Sequence, residues 1–184
     1  MIAFLISALS LALAQSGKTT ETEIPTFTVC ELLSQRLDYD GKLVRIRTRV
    51  SGNSEGVWFP GDDCPGVVTT DGYVWPSMIS MSDASPDMDL NHRIHPVNFS
   101  SDYEGKKKLW PKLLRLGRKA PNDCIIWTFT GLFETRKEYT KVSYANAPSI
   151  YIGFGHLSAA PAQFLWKTAE DVNVAPNCRP KTKR

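Results

Sequence analysis

Apolar positions recur with two different periods along this chain. From residue 42 to 50, Val44, Ile46, Thr48 and Val50 alternate with Leu43, Arg45, Arg47 and Arg49. A period of two predicts a half-buried strand, aliphatic on one face and carrying three arginines on the other. Just upstream, Val29, Leu32, Leu33 and Leu37 fall at helical spacing, and Thr28 with Glu31 has the form of a capping box. A short amphipathic helix over 29–37 is therefore expected. Residues 57–59 and 73–81 read as further strands, with a turn at Asp71-Gly72. Pro76 inside the second of these predicts an edge or a break. Residues 124–134 are apolar or Thr on both faces, which predicts a central strand. In residues 162–174, Phe164, Trp166, Thr168, Val172 and Val174 share one parity, so the chain closes on a last strand.

Between the third and fourth of these strands, residues 82–121 differ in character. Leu109, Leu113, Leu114 and Leu116 supply an apolar stripe for a helix over 102–117, with Gly117 as its cap. Pro111 must start or interrupt that helix. Five strands with a helix between the third and fourth predict a mainly β fold with short helices, a five-stranded OB-like Greek-key barrel. A β-sandwich is the rival and would need about seven strands.

The first 14 residues are apolar and end Ala12-Leu13-Ala14, a small-x-small pattern suited to signal peptidase. The run is too short to span a bilayer, which takes about 20 residues. The expected organisation is a signal peptide at 1–14, a polar flexible arm at 15–25, an OB-like domain at 26–176 with its basic insert at about 82–121, and a basic tail at 177–184. The product would be exported, periplasmic or extracellular. All four cysteines, Cys30, Cys64, Cys124 and Cys178, lie in the exported part. An even count behind an export signal implies two disulfides, with three connectivities possible. Pairing Cys30 with Cys64 and Cys124 with Cys178 closes the opening and closing elements separately. Asn98-Phe99-Ser100 is a glycosylation sequon.

Several segments together, Val29-Cys30-Glu31-Leu32-Leu33, the run from Tyr39 to Arg47, Cys64-Pro65, the run from Thr130 to Glu134, and Gly153-Phe154-Gly155-His156-Leu157 with Pro161-Ala162-Gln163, resemble an uncharacterised family of small secreted bacterial proteins with an OB-like domain. The resemblance covers about residues 29–174. It implies an exported OB-like domain and carries no activity with it.

Composition narrows the function further. Eight Phe, six Tyr and five Trp in 184 residues exclude a disordered chain. The net charge of +3 hides a polarised sequence: residues 104–119 hold seven Lys or Arg against one acid, and residues 179–184 hold four more. Such segments attract anions, whether lipid head groups, envelope polymers or nucleic acid. The expected function is a non-enzymatic binding or structural domain for an anionic ligand. The surface is assigned to Arg45, Arg47 and Arg49 with Lys106, Lys107, Lys108, Lys112 and Arg115, the insert folding back over the arginine strand. Trp110 among these lysines suits an interfacial anchor, and an anionic membrane surface or envelope polymer is the expected partner.

Two rivals follow from other residues. His156, between Gly155 and Leu157, is the candidate for a hydrolase-type enzyme if a carboxylate reaches it in an open pocket; Asp62, Asp63, Asp171 and Glu134 are the acids considered. Single-stranded nucleic acid binding would need Trp58, Tyr73 or Trp75 exposed beside the arginines, and export argues against nucleic acid as a partner. No cofactor fingerprint is present, and no metal site is expected. His92 and His95 precede Pro96, which disfavours a shared helical face. Asp83, Ser85, Asp87 and Asp89 alternate as in a calcium loop, but Met88 and Ile94 stand at the sixth and twelfth positions, where such a loop needs Gly and Glu.

Overall fold

The computed structural model describes residues 23–62, 64–86, 93–145, 147–176 and 178. The apolar leader at 1–14, most of the arm, Asp63, Asp87, Asp89, His92 and the basic run at 179–184 lie outside the described residues. The fold is mainly β, as the sequence pattern predicts. Nine strands form among the described residues, where five were expected: β1 (Thr26–Phe27), β2 (Lys42–Thr48), β3 (Ser51–Asn53), β4 (Gly56–Pro60), β5 (Met78–Asp83), β6 (Ile125–Thr135), β7 (Thr140–Tyr144), β8 (Ala147–Ile152) and β9 (Ala162–Val174). Four short helices join them: α1 (Val29–Ser34), α2 (Arg36–Tyr39), α3 (Tyr103–Lys108) and α4 (Trp110–Lys119).

Seven strands build one mixed sheet in the order β1-β2-β6-β9-β5-β4-β3, and β7 pairs with β8 apart from it. Strands β1–β2 and β5–β9 are parallel; the other pairs are antiparallel. Residues 136–147 read as polar in sequence and no strand is expected there or over 148–152, yet β7 and β8 form the separate hairpin. The strand expected over 73–81 begins only at Met78, because Pro76 has no amide to donate to a ladder.

The helix expected over 29–37 breaks at Gln35 (φ −109°, ψ 22°), where α1 ends and α2 begins. Its capping box forms: the Glu31 amide donates to Thr28 Oγ1 at 3.3 Å, and the Thr28 amide donates to Glu31 Oε2 at 2.7 Å. Val29, Leu32 and Leu33 are buried against the sheet. The break swings Leu37 out, leaving it 47% exposed rather than on the apolar face. The basic insert is helical on either side of Leu109, with Pro111 in the first turn of α4, where a missing amide costs nothing. The helix runs past Gly117 to Lys119 and is capped at Ala120.

The parity expected in the last strand holds only in part. Lys167 and Glu170 are skipped in the pairing of β6 with β9. These two bulges bring Trp166, Ala169 and Val172 to the buried face at every third residue. Phe59, Phe129, Phe133 and Phe164 fill the main core with Val44, Ile46 and Ile79. On the opposite face of β6 and β9, Leu132 and Leu165 pack with Val97 and Phe99 of the insert. That second cluster explains why β6 is buried on both sides.

One disulfide closes, Cys124–Cys178, with the Cα atoms 5.7 Å apart. It ties the start of β6 to the end of β9. The other expected pair is not joined. Cys30 and Cys64 line one cleft together, and the Cys64 thiol donates to the Gly61 carbonyl at 3.2 Å.

Among the described residues Glu134 is the one acid that is completely buried. Its carboxyl accepts the amides of Ile94 (3.1 Å) and His95 (2.7 Å) and the Gln163 side-chain amide (2.6 Å). It thereby anchors the insert to β6 and β9. Glu134→Ala strands three donors in a dry site and should lower stability by about 3 kcal/mol, measured by urea denaturation; a loss below about 1 kcal/mol would show that the insert is not held there.

Candidate functional site

Strands β4 and β5 form the floor of a cleft of about 250 Å³, lined by Val57, Trp58, Met78 and Ser80. Its far wall is the segment between β8 and β9. There Phe154 and Ala160 exchange backbone hydrogen bonds of 2.8 and 3.1 Å, which pinches residues 155–159 into a tight loop. Gly155 sits at φ +73°, and a side chain there would strike the Ser80 hydroxyl. Glycine at this position lets the loop lie directly on β5.

The next turn is strained. Leu157 (φ 54°) and Ser158 (φ 56°) both occupy the left-handed region, which costs non-glycine residues roughly 1–3 kcal/mol each. Leu157 is 84% exposed, so no burial offsets that cost. What the strained turn does accomplish is to aim His156 across the cleft. His156 Nε2 lies 2.6 Å from Glu55 Oε2, at the tip of the β3–β4 hairpin, and both side chains are about half exposed. A carboxylate that accepts from Nε2–H leaves Nδ1 of the neutral ring as an acceptor. The rim therefore offers one acidic acceptor and one imidazole above a mostly apolar floor. Those are groups that can orient a ligand head or move a proton.

Glu55 was not among the acids considered from sequence. Asp62 pairs with Arg49, Asp171 with Lys112, and Glu134 is buried under the insert. Glu55 and His156 are far apart in the chain, and only the packing of the β3–β4 turn beside residues 153–160 joins them. Residues 51–56 read in sequence only as a turn-rich connection, and nothing local marks the Glu55 carboxylate.

The structure does not assemble the cationic surface expected from sequence. Arg45, Arg47 and Arg49 do leave the core face of β2, but the insert packs on β9, two strands away, and not over β2. Acids from β9 and the β4–β5 loop meet several of the cations. Arg45 pairs with Glu170 at 2.7 Å, and Glu170 also accepts the Thr130 hydroxyl. Arg49 pairs with Asp62. Lys107 pairs with Glu104 (2.5 Å), and Lys112 with Asp171 (2.5 Å). Lys106 lies over the Trp166 ring, 4.9 Å from its centroid, and burial lowers its pKa. Among the described residues, Arg47, Lys108 and Arg115 make no ion pair.

The aromatic groups expected to stack on nucleic acid are placed elsewhere too. Trp75 is buried and Trp58 lines the cleft. Tyr73 is exposed but stacks on Tyr151, whose hydroxyl donates to Asp71. His95 lies 3.1 Å from Asp40. Among the described residues no three His, Cys, Asp or Glu side chains gather as metal ligands. No protein-family model, no curated protein and no solved structure matches this chain.

The Lys112 hydrogen bond holds the Asp171 carboxyl below the usual carboxylate range, against a smaller opposing effect of burial. A depressed folded-state pKa contributes stability that is present above about 3.9 and is lost as pH falls through the folded value. Both side chains are more than a third exposed, so solvent screening limits the pair to roughly 0.2–1 kcal/mol. Asp171→Asn should therefore show a smaller drop in thermal midpoint between pH about 5 and about 2.5 than the parent. Identical drops in the two proteins would mean that the pair does not tie α4 to β9.

Proposed function

We propose that this chain is an exported, OB-like binding domain whose cleft takes a small, largely apolar molecule with a hydroxyl or amide group that meets Glu55 and His156. The observation that carries the proposal is the strained turn at Leu157 and Ser158, which holds His156 against Glu55 over an apolar floor. Strain of this kind persists where surrounding structure enforces it, and it clusters at ligand clamps.

The strand arrangement supports the OB-like part. The five strands expected from sequence correspond to β2, β4, β5, β6 and β9, with α3 and α4 between the third and fourth. Only β5 and β9 among them run parallel. Strands β2 and β3 lie near opposite ends of the sheet order yet are separated by only Arg49 and Val50, which favours a sheet curled towards closure. In such folds ligands lie across the second and third strands between the loop after the first and the loop before the last. The cleft's lining by β4, β5, the β3–β4 turn and the segment before β9 supports that reading. Export is supported by the leader pattern and is compatible with the Cys124–Cys178 bridge.

N-phenylnaphthylamine, a neutral fluorophore with one amine donor, is a suitable probe. Its emission should rise saturably with the protein. Ala159 lines the cleft with ordinary helical dihedrals (φ −80°, ψ −10°), so Ala159→Trp fills the space without strain and should abolish the signal. Glu55→Ala should weaken binding about tenfold, or about 1.4 kcal/mol. Non-saturable emission, or emission unchanged by Ala159→Trp, would refute the cleft as the site.

A second reading has one specific observation in its favour. The 2.6 Å His156–Glu55 contact in an open cleft is the arrangement that an acid–base enzyme needs. A hydrolase centred on His156 predicts turnover of para-nitrophenyl acetate that disappears in His156→Ala. Hydrolysis that persists in this variant excludes His156 as its catalyst.

A further inference from the structure

Helix α4 has a second face that the fold does not use. Leu109, Leu113 and Leu116 pack against the core. Trp110 and Leu114, four residues apart and so on one line of the helix, point away from it and are 58% and 50% exposed. Lys108 of α3 and Arg115, Arg118 and Lys119 of α4 are exposed as well, and none makes an ion pair among the described residues. The only acid within α3 and α4 is Glu104, and Lys107 neutralises it at 2.5 Å. The acids of β9 are engaged on the other side of the insert, by Arg45 and Lys112.

We infer that this face of α4 docks on an anionic phospholipid bilayer, with Trp110 and Leu114 entering the interface and the surrounding cations meeting lipid phosphates. Charge complementarity identifies an anionic occupant. The exposed Trp–Leu pair selects a bilayer over a soluble polyanion, because a hydrated polymer offers no apolar layer to receive it. Tryptophan is also the side chain best suited to head-group depth. The geometry fits a helix lying in the plane of the surface, held by its packed leucines to the body behind it. This site is separate from the cleft, so either can fail without the other.

The experiment mixes the full chain with vesicles of phosphatidylglycerol and phosphatidylcholine, and with vesicles of phosphatidylcholine alone. Binding is read by co-sedimentation, and depth by quenching of tryptophan emission with brominated lipid. The expected result is binding to the anionic vesicles at about 0.1 M salt, reduced at least tenfold at about 0.5 M salt. Brominated lipid should quench the parent, and Trp110→Phe should lose most of that quenching. Arg115→Glu with Arg118→Glu should weaken binding roughly tenfold or more, since each basic side chain near the surface contributes to it. Both sites are exposed, so the fold should survive these changes, and an unchanged thermal midpoint checks this. Quenching that is unaffected by Trp110→Phe, or binding unaffected by the double charge reversal, would overturn the inference. Binding to dextran sulfate as tight as to the vesicles, with no quenching, would assign the face to soluble polyanions instead and overturn it equally.

Discussion

Eleven residues of β6 pair with β9, from Ile125 opposite Val174 to Thr135 opposite Ala162, and most other parts take their position from that ladder. At one end the Cys124–Cys178 bridge ties the two strands covalently. At the other, β9 begins directly after the strained loop that carries His156. In between, the two bulges at Lys167 and Glu170 bend the strand and re-aim its outward side chains. Glu170 can then reach Arg45 of β2 across β6, and Asp171 can hold Lys112 of α4. The ladder also explains the glycine at its centre: a Cβ on Gly131 would collide with the Leu165 carbonyl and the Phe164 ring.

The ladder separates the molecule into two regions of different chemistry. On the β5–β4 side of β9, apolar floor residues and a strained loop make a cleft whose lining, among the described residues, includes the Glu55 carboxylate and the His156 imidazole. At the outer surface of β9, the insert lays down a helix whose inner leucines join the core and whose outer residues are cationic and aromatic. The net positive charge read from composition is therefore not spread over the protein. Near the sheet Arg45, Arg49 and Lys112 are neutralised pairwise, whereas among the described residues Lys108, Arg115, Arg118 and Lys119 of the insert make no ion pair.

How much of this was legible beforehand follows from the range of each interaction. The capping box at Thr28 and Glu31, the alternation from Val44 to Thr48 and the role of Pro111 are local, and the sequence states them directly. The two bulges are not local. They depend on which residue of β6 stands opposite each residue of β9, so parity in residues 162–174 misassigned Thr168 and Ala169. The arginine strip on β2 was correctly placed on an outward face, but its acids come from β9 and from Asp62, where no periodicity points. His156 drew attention because it lies among glycines. Its partner Glu55 lies on another loop and was missed, since only tertiary packing brings the two together. The β7–β8 hairpin was missed because β7 carries only Val142 and Tyr144 among polar residues, Pro148 and Ser149 interrupt β8, and most of both strands is exposed.

The link between the strained turn and the cleft can be observed directly by solution NMR of the free protein. Nuclear Overhauser contacts between the His156 ring protons and the Glu55 side chain, together with backbone couplings that place Leu157 and Ser158 at positive φ, are the result expected from this geometry. A mobile 155–159 segment with ordinary negative φ values and no contact to Glu55 would contradict it.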